Sequence, residues 1–205
     1  MPIVVYVLGL AIFSIGTSEL MIAGMMSSLA ESFNISIGQV GHLISYFAFG
    51  VMFGGPVLTY VFVKFKVPYR PTLLIMLLSD AIVQAIMALN ASYTILIVIR
   101  IVLGVLCAGC LSLSLATSMS IVAREKIPSA AAVVIGGFMI SNVVGVPFAT
   151  IIDEHYGWQV SFVIVAIMVL MCFIALCFLL PRLKTKNSTQ KATALKGKDA
   201  FQKSA

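Results

Sequence analysis

Long runs of apolar residues alternate along the chain with short polar breaks. Six runs extend over about 3–29, 38–63, 71–89, 93–122, 129–152 and 158–180. Within each run the apolar residues follow one another continuously, whereas the strands of a membrane barrel alternate apolar and polar residues. About 20 apolar residues are needed for a helix to cross about 30 Å of hydrocarbon. The pattern therefore predicts an all-α integral membrane protein with six transmembrane helices.

The breaks carry turn and charge signals, and the last run ends at Pro181. A proline at a helix end is tolerated because its missing N–H has little to bond there. Beyond it, residues 182–205 are polar and rich in lysine. We therefore predict a six-helix transmembrane bundle over residues 1–181, followed by a basic cytoplasmic tail over 182–205.

Composition excludes an ordinary soluble domain. The chain is 61% hydrophobic and 10% charged, whereas soluble domains are about 45–50% apolar and about 25% charged. The net charge is +6, but the basic residues lie in the breaks and the tail and are not interleaved with aromatic residues. We therefore expect a lipid bilayer as the surroundings and no nucleic acid partner.

The basic residues also predict the orientation of the helices. Twelve of the thirteen lie in the second break, the fourth break and the tail, whereas the other three breaks contain only acidic charges. Loops rich in Lys and Arg remain in the cytoplasm. We therefore predict a multi-pass protein of the cell (inner) membrane with both termini in the cytoplasm.

Three charged residues lie inside the predicted spans, namely Glu19, Asp80 and Arg100. A charge at mid-bilayer costs about 2.5–3.5 kcal/mol on insertion scales, so such residues usually pair with one another or face a cavity. Counted at 1.5 Å per residue, all three lie about 10–15 Å below the same membrane surface. A shared cluster is therefore geometrically possible.

Two interpretations of this cluster remain open. In the first, Arg100 neutralises Asp80 as a buried structural pair. In the second, which we favour for Glu19, the carboxyl group exchanges protons, because desolvation disfavours the charged form of an acid. Movement of Glu19 relative to Arg100 would then serve as the switch of a proton-driven carrier.

The fifth run is the least apolar and the most easily bent. It contains Gly136, Asn142, Gly145 and Pro147. These residues predict a tight seam between helices, a bending element that lines a path, or both.

Small residues recur at every fourth position in the second and fourth runs, as in Gly50-x-x-x-Gly54 and Gly104-x-x-x-Ala108. Such stripes let helices approach closely. The pair Cys107-x-x-Cys110 has redox spacing, but it has no flanking strand or cation, so we interpret it as part of a helix face. We predict no metal site and no cofactor, with protons as the coupling ion.

Four motifs together resemble the major facilitator superfamily, specifically its drug:proton antiporter and sugar-efflux-like branch. They are Gly16-Thr17-Ser18-Glu19 on the first span, Arg100-x-x-x-Gly104 on the fourth, Gly136 with Gly145 and Pro147 on the fifth, and Gly157-Trp158-Gln159-Val160-Ser161-Phe162 at the start of the sixth. The resemblance covers the chain up to Pro181.

This resemblance implies proton-coupled efflux of a small amphipathic drug, sugar or nucleoside. Glu19, Arg100 and Asp80 would serve proton coupling or substrate binding, and the first and fourth helices would line the cavity. Two departures stand out. The loop between the second and third helices lacks the family's aspartate, and Gln159 replaces an arginine.

The family has twelve helices in two six-helix halves, and this chain resembles the N-terminal half only. Either it pairs with a second copy or a separate half, or it is a truncated protein without transport activity. An intramembrane hydrolase is disfavoured because neither histidine lies mid-span, and a channel because no filter sequence occurs. We therefore predict a transporter half and no enzyme.

Overall fold

The computed structural model describes residues 1–89 and 92–180, and the predicted tail over 182–205 lies outside them. The described residues form helices and no strands, and six helical segments are long and apolar enough to cross a membrane. The predicted all-α class with six transmembrane helices is confirmed. The helices are α1 (Ile3–Gly24), α2 (Met26–Phe33), α3 (Ile37–Lys64), α4 (Tyr69–Leu89), α5 (Tyr93–Ile121), α6 (Ile127–Ile140), α7 (Val146–Tyr156) and α8 (Trp158–Leu179).

The first predicted run, 3–29, is divided in two. The helix α1 ends at Gly24, and Met25 leaves helical geometry at φ −116° and ψ 19° before α2 begins. Two polar contacts link α2 to other helices. Ser28 donates a 2.6 Å hydrogen bond to the buried carboxylate of Asp153 on α7, and the Trp158 indole donates to Ser32 at 3.0 Å. These bonds join α2 to the end of α7 and the start of α8.

The turns follow from local sequence. Asn34 takes the left-handed conformation (φ 52°) that ends α2, which asparagine tolerates better than most residues. Ser36 and Gln39 then form a capping box at the start of α3, each accepting from the other's backbone N–H. Gly157, at φ 86°, joins α7 directly to α8, and a glycine adopts this conformation without strain.

The bundle has two ends, which we name by their charges. The basic end contains Lys64, Arg70 and Arg124, and the acidic end contains Glu31 and Glu154. At the basic end, Arg70 donates a 2.9 Å hydrogen bond to the Cys177 carbonyl and so joins the start of α4 to the end of α8.

The helices α3 and α5 make the most extensive contact in the bundle. Gly50 and Gly104 face each other there, and a Cβ at either position would meet backbone atoms of the other helix. Both glycines are buried. The predicted small-residue stripes thus lie at a close helix–helix contact.

The fifth span is interrupted by a π-helical segment over Ser141–Gly145, between α6 and α7. This segment lies against α1, where a Cβ on Gly145 would meet the Thr17 side chain and a Cβ on Gly16 would meet Ser141. Pro147 follows at the start of α7 and has no N–H to continue the α-helical ladder. The regular α-helical hydrogen bonding of the span is therefore interrupted beside the middle of α1.

Candidate functional site

The polar centre of the bundle is built around Ser18 and Glu19 on α1. Ser18 is buried, with 1% of its surface exposed, whereas Glu19 is half-buried. Gly16 and Thr17 before them, and Met21 and Ile22 after them, are buried against other helices. Glu19 is therefore a partly exposed position within an otherwise buried part of α1.

Arg100 on α5 is completely buried and reaches across to α1. Its Nη1 donates to the Ser18 carbonyl at 2.9 Å, and its Nη2 donates to the Glu19 carbonyl at 3.1 Å. The guanidinium also lies over the ring of Phe47, 5.2 Å from the ring centroid. The guanidinium is thus held at the backbone of Glu19, within electrostatic range of its side chain.

The helix α4 supplies Gln84, which is fully buried and donates a 2.5 Å hydrogen bond to the Ser18 hydroxyl. Asp80 lies one turn earlier on the same helix and is 1% exposed. Its carboxylate interacts with the Gln84 side chain, but neither carboxylate oxygen accepts a hydrogen bond of good geometry among the described residues. The interpretation of Asp80 as a structural ion pair with Arg100 is therefore wrong, because the terminal nitrogens of Arg100 bind the α1 carbonyls instead.

The three charged residues nevertheless belong to one region. The Cys107 thiol on α5 lies within electrostatic range of both Glu19 and Asp80, and the Cys110 thiol within range of Asp80. Both thiols are free and buried. The structure thus brings Glu19, Asp80 and Arg100 around one stretch of α1, α4 and α5.

The fifth-span residues do not join this cluster as a group. Gly145 is buried against Thr17, near the cluster. Asn142 and Pro147 are exposed, and Gly136 is half-buried with no atom within 4 Å of the place a Cβ would occupy. Of the four, only Gly145 packs against α1, and the face with Asn142 and Pro147 is left uncovered.

Sequence reasoning gave no role to Ser18 or to the Asp153 contact. Ser18 lies within the Gly16-Thr17-Ser18-Glu19 motif, but its two partners come from α4 and α5 and have no local signal. Asp153 lies just beyond the fifth predicted run, yet it is buried with 7% of its surface exposed. It accepts a hydrogen bond from Ser28 on α2.

Among the described residues, no group of three or more His, Cys, Asp and Glu side chains is placed to hold a metal ion. The polar cluster offers carboxylates, an amide, a hydroxyl and one guanidinium. Such groups can bind and release a proton or bind a polar substrate group, and they include no pair of nucleophile and histidine base.

Comparison with known proteins agrees with this arrangement. The model of the Major Facilitator Superfamily matches residues 8–204. The chain is 32% identical to the "Chloramphenicol resistance protein" of Streptomyces lividans over 167 residues, which are 82% of this chain and 42% of that protein. It is 27% identical to "Putative transporter AraJ" of Escherichia coli (strain K12) over 181 residues, covering 88% of this chain and 45% of that protein.

A third relative is "Inner membrane transport protein YdhP" of Escherichia coli (strain K12), 31% identical over 175 residues, which are 85% of this chain and 44% of that protein. The chain thus spans less than half the length of these curated relatives. The family resemblance predicted from the four motifs is confirmed. The chain belongs to the Major Facilitator Superfamily.

Proposed function

We propose that this chain forms one half of a proton-coupled secondary transporter that exports a small amphipathic molecule in exchange for protons. One observation carries the proposal. Arg100 is fully buried and bonds the backbone of Glu19, so it brings a positive charge near that carboxylate without forming a salt bridge with it. The carboxyl group is left able to gain and lose a proton beside a fixed cation.

The partial exposure of Glu19 supports this role. Acidic residues within transmembrane helices almost always face the bundle interior or a water-filled cavity. Glu19 is partly exposed within an otherwise buried part of α1, so its side chain is directed to the face of α1 that would border such a cavity. A proton released there reaches water without crossing lipid.

The name of one relative supports the choice of a first substrate to test. One relative is named for resistance to chloramphenicol, a small amphipathic compound, and we take that drug as the first substrate to test. Chloramphenicol uptake into proteoliposomes under an imposed pH gradient measures the proposed activity. Glu19→Gln removes the titratable group, and we expect it to lower the initial rate of proton-driven uptake at least tenfold.

Glu31→Gln is the matched control, because Glu31 is an exposed acid of the same type at the acidic end of the bundle. It should retain the parent rate within about twofold. Glu19→Asp keeps an acid at the site and should retain part of the activity. Full uptake in Glu19→Gln, with its dependence on the pH gradient intact, would refute Glu19 as the proton carrier.

A second candidate is a membrane protein that has no transport activity of its own and acts only with a partner half, or not at all. The chain covers 42–48% of its curated relatives, and the fifth span leaves Asn142 exposed within the membrane region. A polar side chain in that position needs a partner or a cavity. Native mass spectrometry of the purified chain, alone and after co-expression with the remaining half of a relative, tests this. A strictly monomeric chain that transports by itself would exclude it.

A further inference from the structure

Seven buried side-chain polar atoms have no hydrogen-bond partner among the described residues. They are Asp80 Oδ1 and Oδ2, Gln84 Oε1, Arg100 Nε, Ser114 Oγ, Thr117 Oγ1 and Asp153 Oδ1. Buried polar groups in proteins are nearly always bonded to protein or to ordered water. All of these atoms except Asp153 Oδ1 belong to α4 or α5, two helices that pack against each other.

Ser114 and Thr117 differ from the other hydroxyl residues of α5. Serine and threonine in helices commonly bond a carbonyl of the preceding turn. On α5, Ser112 bonds Ala108 at 2.8 Å, Ser118 bonds Leu115 at 2.9 Å and Ser120 bonds Thr117 at 2.8 Å. Ser114 and Thr117 are fully buried yet make no such bond. Their hydroxyls remain available to another donor or acceptor.

These two hydroxyls continue a single face of α5. Arg100, Cys107 and Ser114 recur at seven-residue intervals, as do Cys110 and Thr117, so they lie within one stripe along the helix. At 1.5 Å per residue, the stripe extends about 25 Å from Arg100 towards the basic end. Every one of these side chains is buried in the bundle.

Asp80 borders this stripe from α4, since it lies within electrostatic range of both Cys107 and Cys110. Ser114 follows Cys110 by one helical turn, and Thr117 by two. The charged groups near the stripe are Glu19 of α1, Asp80 of α4 and Arg100 itself. Polar side chains with open hydrogen-bonding positions thus continue from Asp80 towards the basic end.

We propose that this face is hydrated and conducts protons between Asp80 and the basic end of the bundle, with the hydroxyls of Ser114 and Thr117 as relays. In each step an oxygen accepts one proton and gives up another to the next oxygen, so only O–H bonds form and break. The Asp80 carboxylate accepts or releases the proton at the end of the route that lies inside the bundle. The inference rests on the proposed proton-coupled function, and it adds a route inside the six-helix unit that is separate from the cavity side of Glu19.

The test compares two double variants of the whole chain in lipid nanodiscs. Ser114→Ala with Thr117→Val removes both hydroxyls at nearly constant volume. Ser112→Ala with Ser120→Ala removes two hydroxyls that bond their own helix. After a rapid pH jump, proton uptake is followed with an indicator dye, and Asp80→Asn identifies the share of uptake that belongs to Asp80. We expect the Asp80-dependent proton uptake to be at least tenfold slower than in the parent in Ser114→Ala/Thr117→Val. In the control double variant its rate should stay within twofold of the parent rate.

An unchanged rate in Ser114→Ala/Thr117→Val would overturn the route, and so would an Asp80→Asn variant that takes up as many protons as the parent. Neither result depends on substrate transport across the membrane, so the proposed Glu19-dependent transport is tested separately. If the double variant does not fold, Ser114→Cys in a chain without the native cysteines replaces it. A small aqueous thiol reagent should modify Ser114→Cys and not Leu113→Cys, an equally buried neighbour. Equal reactivity, or none in either, would overturn the hydrated face.

Discussion

Arg100 is a buried cation with no carboxylate bonded to it among the described residues. Its hydrogen bonds go to two carbonyls of α1, which already belong to a helical ladder. Burying a charge without an ion partner is costly, so the residue contributes little to folding stability for its size. Its position beside Glu19 is better explained by function than by stability.

We therefore predict that Arg100→Met abolishes proton-driven transport without lowering the stability of the bundle. Met fills a similar volume without a charge, and replacing a buried ion pair by apolar residues is often neutral or stabilising by about 1–4 kcal/mol. Arg100 bonds no carboxylate among the described residues, so its removal leaves no bonded counter-charge behind. The melting temperature in detergent should stay level or rise, whereas proton-driven uptake should be lost. A melting temperature several degrees lower would show that Arg100 is a structural anchor.

The individual charged positions were recognisable from the sequence, because a charge inside an apolar run is conspicuous. Their partners were not. Arg100 and Asp80 lie at similar depth on neighbouring helices, which suggested an ion pair, but the rotation of α5 directs the guanidinium to α1. Hydrogen-bond direction depends on helix rotation, and the spacing of residues within one helix does not specify it.

The contact between α3 and α5 depends on the absence of side chains at two glycines. A Cβ on Gly50 would meet the carbonyl oxygen of Ile101 and the Cα of Gly104. Without a large hydrophobic driving force between helices in lipid, close packing of this kind holds transmembrane helices together. This contact positions α3, which carries Phe47, relative to α5, which carries Arg100.

We predict that Gly50→Ala destabilises the bundle by about 1–3 kcal/mol, the usual range for overpacking. Gly41→Ala is the matched control on the same helix, since no atom lies within 4 Å of its would-be Cβ. It should be neutral or slightly stabilising because alanine favours helix over glycine. Thermal unfolding of both variants in detergent measures the difference, and equal melting temperatures would contradict the close contact.

Helix features that depend on a single residue type can be predicted from the sequence. Features that depend on contacts between distant helices cannot. Glycine and proline predicted that the fifth span is the most easily bent, and its hydrogen bonding changes to a π-helical segment at Ser141–Gly145. The break at Met25 follows Gly24, which lowers helix propensity, but a single glycine inside an apolar run does not specify where a helix ends. After the break, the bonds of Ser28 and Ser32 join α2 to α7 and α8.

The whole molecule has an electrical polarity along the membrane normal. Basic side chains predominate at one end of the bundle, which also carries Glu125, and exposed acidic side chains such as Glu31 and Glu154 lie at the other end. The positive-inside rule predicts that the basic end is cytoplasmic, and the proposed proton route along α5 would then open to the cytoplasm.

We predict which side of the membrane each end of the bundle faces, and two cysteines placed at exposed glutamates test this prediction. In a chain with Cys177 replaced by serine, Glu154→Cys at the acidic end should react with a membrane-impermeant maleimide on intact cells. Glu125→Cys at the basic end should react only after permeabilisation. The reverse pattern would invert the orientation and direct the α5 route outward.

The amino-acid sequence by itself determined the membrane environment, the six helical spans and the presence of charges within them. These properties depend on the length and polarity of continuous segments, which are local. Only the tertiary structure decided that Arg100 bonds the α1 backbone and that Asp80 and Ser114 keep open hydrogen-bonding positions. It also decided that the first span is divided between α1 and α2. Those outcomes depend on how each helix is rotated and how closely its neighbours approach, and these are set by packing among segments distant in sequence.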